Sequence, residues 1–213
     1  TPRQPTCRIA NSSSLIYPAG PDFSYLFIRD ACTLYYPLQY ISSNEFSKAI
    51  IMKKLLIVTT GGTIDKIYFD DMSDYQIGEP LIGQILDHLQ VGFEFEVNAL
   101  MRKDSLHITD EDRLMIHDAI AASDASHVLV THGTDSMVKT ALLLSDIPGK
   151  TIVLTGALNP ARFRDTDAVF NIGCAVGAVQ SLPPGAWVAM SGTIWDPKMV
   201  RKNRSKNRFE AAD

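Results

Sequence analysis

From residue 55 to residue 192 the chain switches repeatedly between two apolar spacings. "LLIVTT", Leu55–Thr60, is an unbroken leucine and β-branched run, the pattern of a strand covered on both faces. In "EPLIGQILDHLQ", Leu81, Ile82, Ile85, Leu86 and Leu89 fall on one side of a 3.6-residue period, which predicts a helix. "FEFEVNAL" alternates and predicts a strand. "HITDEDRLMIHDAIAAS" predicts a helix with Thr109 as N-cap and acids in its first turn. The pattern then gives "HVLVT" as strand, "DSMVKTALLLSD" as helix, "KTIVLTG" as strand, "DTDAVFNIGCAVGAVQSL" as helix and "AWVAMSG" as the last strand. Strict alternation at these lengths implies α/β architecture, a parallel sheet with helices on both faces.

The two ends read differently. Residues 1–51 show no sustained period of two or 3.6. Met52 is the first methionine and a clean strand follows it, so the domain is expected to span 52–213. Residues 1–51 are expected to be an appendage, poorly ordered or not native. The basic, weakly apolar tail from Asp196 is expected to be a solvated terminus or short helix.

Composition narrows the function classes. The chain has 213 residues, 46% hydrophobic and 21% charged, enough apolar material for a core. A net charge of −4 argues against nucleic-acid binding through overall charge. Cys7, Cys32 and Cys174 form no CxxC pair, and Cys174 sits in an apolar stretch as a reduced core thiol would. The five histidines lack HExxH spacing, so no metal is expected. No apolar run is long enough to span a bilayer, and "MKKLLIVTTGG" lacks the long apolar region and cleavage site of an export signal. A cytoplasmic protein without membrane partners is the expectation.

Ligands of open α/β sheets bind beyond the carboxyl ends of the strands, so the residues just after each strand carry the information. They are Thr59 to Thr63 after the first, Asp104 and Ser105 after the second, Thr131 to Asp135 after the third, and Thr155, Gly156 and Ala157 after the fourth. Hydroxyls, small residues and an acid therefore share one rim. "TTGGTID" fits neither GxxxxGK[ST] nor GxGxxG, although such loops would also admit a flavin or mononucleotide. For hydrolysis, a threonine nucleophile needs a base: a lysine neutralised by burial, a phenol or a carboxylate. His132 lies on the rim, but its setting beside Gly133 and Thr134 suggests that it orients the turn.

"IVTTGGTI" and "LVTHGTDSM" resemble the two signature motifs of bacterial-type L-asparaginases, the asparaginase/glutaminase amidohydrolases. "DYQIGEP", "RKDSLHIT", "LTGALNP" with "DTDAVFN", and "VRKN" resemble further family segments in the same order, covering about Lys53 to Asn203. The resemblance implies a flavodoxin-like doubly wound parallel sheet of the asparaginase N-terminal type. It also implies hydrolysis of L-asparagine to L-aspartate and ammonia without a cofactor, and leaves room for a glutaminase side activity. Thr63 corresponds to the nucleophile; Thr134, Asp135 and Lys202 correspond to a second catalytic cluster. Asp135 would hold the substrate's ammonium and Ser105 its α-carboxylate, with Gly62, Asp104, Gly133, Thr134 and backbone at Ala157 also lining the substrate. Tyr75 matches the family's tyrosine by segment, while Tyr68 rivals it by nearness to Thr63; either would ride on a lid kept soluble by Asp70, Asp71 and Ser73.

The chain departs from the family pattern at Asp65, His127, Ser136 and Asn159, and in length. It looks like a short, single-domain form, which predicts an open site and favours a homo-oligomer whose copies cover one another. Two alternatives stand beside the enzyme: a non-catalytic asparagine-binding or regulatory module, and an amidotransferase-type domain of the same family.

Overall fold

The computed structural model describes Met52, residues 54–69 and residues 74–212. The expected appendage over 1–51 and the lid residues Asp70, Asp71 and Ser73 lie outside the described residues. In chain order the strands are β1 (Lys54–Thr59), β2 (Lys66–Phe69), β3 (Asp74–Ile77), β4 (Glu94–Ala99), β5 (His127–Thr131), β6 (Thr151–Thr155), β7 (Gly185–Met190), β8 (Thr193–Trp195), β9 (Val200–Asn203) and β10 (Arg208–Ala211). The helices are α1 (Ile82–His88), α2 (Asp110–Ala122), α3 (Met137–Leu144) and α4 (Ala168–Ser181).

The main sheet runs β4-β1-β5-β6-β7-β8, parallel throughout except for the antiparallel β7–β8 pair. This is the doubly wound order of the flavodoxin-like class, and its switch point lies between β1 and β5. The unbroken apolar runs have the expected cause. Leu56, Val58, Val128, Val130, Ile152 and Leu154 face a core shared with Ile116 and Ile120 of α2 and Met137, Ala141 and Leu144 of α3. The intervening Leu55, Ile57, Leu129 and Val153 face a second core with Ile82 and Leu86 of α1 and Ile172, Ala175 and Val179 of α4. A side-chain period of two on a sheet covered twice needs apolar residues at both parities. Cys174 is a free, half-buried thiol against the second core.

Local chemistry sets the ends. Thr109 caps α2 through a complete capping box, its hydroxyl accepting from Asp112 N at 3.2 Å while the Asp112 carboxylate accepts from Thr109 N at 2.9 Å. As an outer strand β4 turns only Phe95 inward, so its alternating sequence covers little core.

Two expectations fail at the C-terminal end. β7 is not the last strand, and beyond one short 3-10 turn the basic tail is a paired hairpin rather than a solvated terminus or helix. Asp196 caps a short 3-10 turn at Pro197–Met199, and β9 and β10 then form an antiparallel hairpin. Val200 and Phe209 bury into the first core and anchor it. The tail has one inward residue on each strand, too few for a periodicity to register, and its many cations mask the pattern.

Candidate active site

The four loops at the carboxyl edge touch one another through glycines. Gly62 has a φ of +94°, and a Cβ there would stand 2.5 Å from the Gly133 backbone. A Cβ on Gly133 would stand 2.6 Å from Ser105, and one on Gly156 would stand 2.3 Å from the His132 carbonyl. Any side chain at these positions would push the loops apart. Thr60 stitches the same joint: its N–H and hydroxyl both donate to the Thr131 carbonyl at 3.0 Å, and its own carbonyl accepts from Lys103 N at 3.0 Å. The abrupt change from apolar strand to Thr and Gly in the first loop is thus the condition for bringing four strand ends to one point.

At that point stands a lysine contributed by the C-terminal hairpin. Lys202 Nζ donates to Thr134 Oγ1 at 3.1 Å and to Asn207 Oδ1 at 2.9 Å, and lies 5.3 Å from the centre of the Phe209 ring. Burial pulls the Lys202 pKa below its ordinary value; Asp135 and Asp167 oppose the shift, and Arg204 adds to it. Asp135 N donates to Ser105 Oγ at 3.3 Å, and Ser136 Oγ donates to the Ser105 carbonyl at 2.6 Å. Arg204 Nε lies 3.5 Å from Asp135 Oδ1. Thr134, Asp135, Ser105, Gly133 and Lys202 therefore form one connected group.

Other expected site residues have different settings. Thr63 opens a 3-10 turn, Thr63–Asp65, half-buried directly after Gly62, and its hydroxyl has no hydrogen-bond partner among the described residues. Asp104 caps the turn Ser105–His107 and pairs with Lys66 Nζ at 2.9 Å. Burial opposes its charge, but Lys66 and Leu106 N hold its pKa below the ordinary value. Ala157 is fully buried in the second core, so only its backbone is available. Tyr68 and Tyr75 face each other in register across the β2–β3 hairpin, ring centres 5.4 Å apart, and are 52% and 47% exposed. The hairpin carries both rings together, so position alone ranks neither first.

His132 has the turn-orienting place expected of it. Its Nδ1 donates to the Gly133 carbonyl at 2.7 Å and its Nε2 accepts from the Thr140 hydroxyl at 2.9 Å. Burial is the main reason that its pKa falls from 6.5 to about 4; the Gly133 carbonyl opposes this and Arg113 adds to it. The ring is neutral at pH 7 with both nitrogens engaged.

Sequence reasoning missed the residues that hold these groups. Asp167 accepts from Leu158 N and Asn159 N, at 2.9 Å in the shortest contacts, and from Asn171 Nδ2 at 2.8 Å. Asn171 also donates to the Gly156 carbonyl at 3.0 Å. The i, i+4 spacing of a carboxylate and an amide at the start of α4 was the available signal. Asn207 and Phe209 gave none, because their role exists only once the tail pairs into a hairpin.

Two buried groups with opposed titrations predict the pH dependence of stability. His132 binds fewer protons folded than unfolded between about 4 and 6.5, so its contribution is complete above 6.5 and lost as pH falls toward 4, about 3 kcal/mol. Asp65 is 2% exposed, and its Oδ1 accepts from Leu81 N at 3.2 Å. Burial raises its pKa from 3.8 to about 6, against Leu81 N and the fields of Arg102 and Arg162. Its ionisation therefore costs the fold a comparable amount above pH 6. Between pH 4 and 6 the two trends cancel. Asp65→Asn keeps an acceptor for Leu81 N and should raise stability at pH 7.5 by about 1–3 kcal/mol. Its stability should then fall steadily from pH 6.5 to 4. Denaturant titrations across that range check this, and an unchanged pH profile in the variant would contradict it.

Residues 54–211 match the family model described as "Asparaginase, N-terminal", and the chain belongs to that family. It is 29% identical over 164 residues to the L-asparaginase of Thermococcus kodakarensis, covering 71% of this chain and 48% of that protein. It is 28% identical over 176 residues to a glutamyl-tRNA(Gln) amidotransferase polypeptide of Methanococcus vannielii, covering 73% and 39%. The solved structure of the Thermococcus kodakarensis L-asparaginase superposes with a TM-score of 0.65 at 29% identity, over 74% of this chain and 51% of that one. L-asparaginase I from Vibrio cholerae gives a TM-score of 0.66 at 23% identity, over 76% and 52%, a likeness of fold. The chain thus spans about half the length of these asparaginases. Among the described residues, no helix is long and apolar enough to cross a membrane.

Proposed function

We propose that the domain is an amidohydrolase that converts L-asparagine to L-aspartate and ammonia through an acyl-enzyme on Thr63. The observation that supports this most strongly is the contact of Lys202 Nζ with Thr134 Oγ1 at 3.1 Å, made by a lysine whose pKa burial lowers. A lysine so placed can exist neutral and take a proton through the threonine hydroxyl. The Thr63 Oγ attacks the side-chain amide carbon, and the C–N bond breaks. The hydroxyl proton ends on the departing ammonia. Water then attacks the ester, returns a proton to Thr63 Oγ and frees aspartate. Asp135 receives the α-ammonium. Ser105 Oγ accepts from Asp135 N, which leaves its own proton for the α-carboxylate.

The match to an amidotransferase favours one second reading, an ammonia-releasing amidotransferase domain, and the half-exposed tyrosines fit a binding module as well as an open enzyme. Ammonia release from asparagine and glutamine, measured beside calorimetric binding of aspartate, separates a catalytic domain from the binding module. Release with asparagine supports the proposal; binding without release supports the module. The tyrosines divide by a matched pair of variants. Of Tyr68→Phe and Tyr75→Phe, one should lower kcat on the order of 10²-fold, the range of a lost proton-transfer group. Whichever retains full kcat is excluded, and full kcat in both would remove a phenol from the mechanism.

A further inference from the structure

The β9–β10 turn brings a cation to the same carboxylate that is proposed to receive the substrate's ammonium. Arg204 Nε stands 3.5 Å from Asp135 Oδ1. Its backbone is fixed by a closed turn: Asn203 Oδ1 accepts from Ser205 Oγ at 2.8 Å and from Lys206 N at 3.0 Å, and Asn207 N donates to the Arg204 carbonyl at 3.2 Å. Asn203 Nδ2 is tied to Glu210 Oε1 at 2.8 Å. The stem of the turn is thus held while the Arg204 side chain is 64% exposed and that of Asp135 32%. A long, exposed pair of this kind is weak and readily opened.

Resting on the proposed reading of the site, we propose that Arg204 is a specificity-determining residue that binds the α-carboxylate of the substrate. An amino-acid zwitterion carries the two charges needed to open the Arg204–Asp135 pair without leaving either uncompensated. Its ammonium takes Asp135, and its carboxylate takes the guanidinium so released, beside the Ser105 hydroxyl. One weak pair is exchanged for two. A substrate lacking either charge would have to break the resting pair while returning only half of the compensation. The site then selects free α-amino acids by charge chemistry.

The test compares L-asparagine with L-asparaginamide, whose α-carboxylate is replaced by an amide, in the wild type, Arg204→Gln and Arg204→Lys. For asparagine, Arg204→Gln should raise KM about tenfold with kcat within about twofold, the loss of one charge-assisted hydrogen bond. Arg204→Lys should recover part of this. For asparaginamide, KM should rise in neither variant and should fall in Arg204→Gln, which removes the resting pair that its ammonium has to open. Calorimetry with aspartate and with aspartic acid α-amide gives the same comparison without turnover. A wild type that binds but releases no ammonia would fail the catalytic reading alone. An unchanged or lowered asparagine KM in Arg204→Gln would overturn the proposal, a lowered one marking Arg204 as a competitor for Asp135. An equal rise for both substrates would overturn it too, as a loss of structure rather than of carboxylate recognition.

Discussion

Thr63→Ala should lower ammonia release from asparagine by on the order of 10⁴-fold while leaving the melting temperature unchanged. The size follows from the position of the group: removing a nucleophile leaves only substrate binding and electrostatic stabilisation, and the residual rate is a small fraction of the whole. The stability expectation follows from the structure. Thr63 is half-buried, and its hydroxyl has no hydrogen-bond partner among the described residues, so its loss leaves no buried donor unpaired. Aspartate should still bind the variant, because Asp135 and Ser105 are untouched. Paired turnover assays and calorimetry check this; wild-type turnover in Thr63→Ala would remove the acyl-enzyme from the account.

Lys202→Met should lower kcat by about 10²- to 10³-fold, the scale of a positioned proton acceptor. Methionine keeps an apolar stem against Phe209 and removes a partly desolvated ammonium, so stability should hold or rise slightly. The pH profile gives the sharper signature. A lysine with a lowered pKa becomes neutral at a lower pH than an ordinary one, so the wild-type kcat should climb with pH as Nζ loses its proton. That climb should vanish in Lys202→Met. Stopped assays between pH 6 and about 10 check it, and a variant with the same alkaline rise would assign the proton to another group.

The core was legible in the sequence because it obeys a local rule. "HVLVT" forms β5, and Thr109 caps α2, since strand burial and helix capping depend on near neighbours. The rim was legible for a related reason. Strand ends in a parallel sheet converge by topology, and Gly62, Gly133 and Gly156 mark where backbones touch. The hairpin was not legible. Lys202 reaches Thr134 across 68 positions of chain, and only the pairing of β9 with β10 and the burial of Phe209 put it there. The resemblance supplied that lysine; periodicity did not. Arg204 was missed for the same reason, because Asp135 is distant in sequence; Asp167 bonds near neighbours, and its i, i+4 spacing with Asn171 was a local signal left unread.

The central claim is that Thr63 becomes covalently acylated by asparagine. Mass spectrometry of enzyme mixed with asparagine and quenched in acid within a turnover tests it most directly. The expected result is a population heavier by one aspartyl group, mapped to the peptide containing Thr63 and lost in Thr63→Ala. Rapid ammonia release with no added mass on that peptide at any quench time, or with the mass on Thr134, would contradict it.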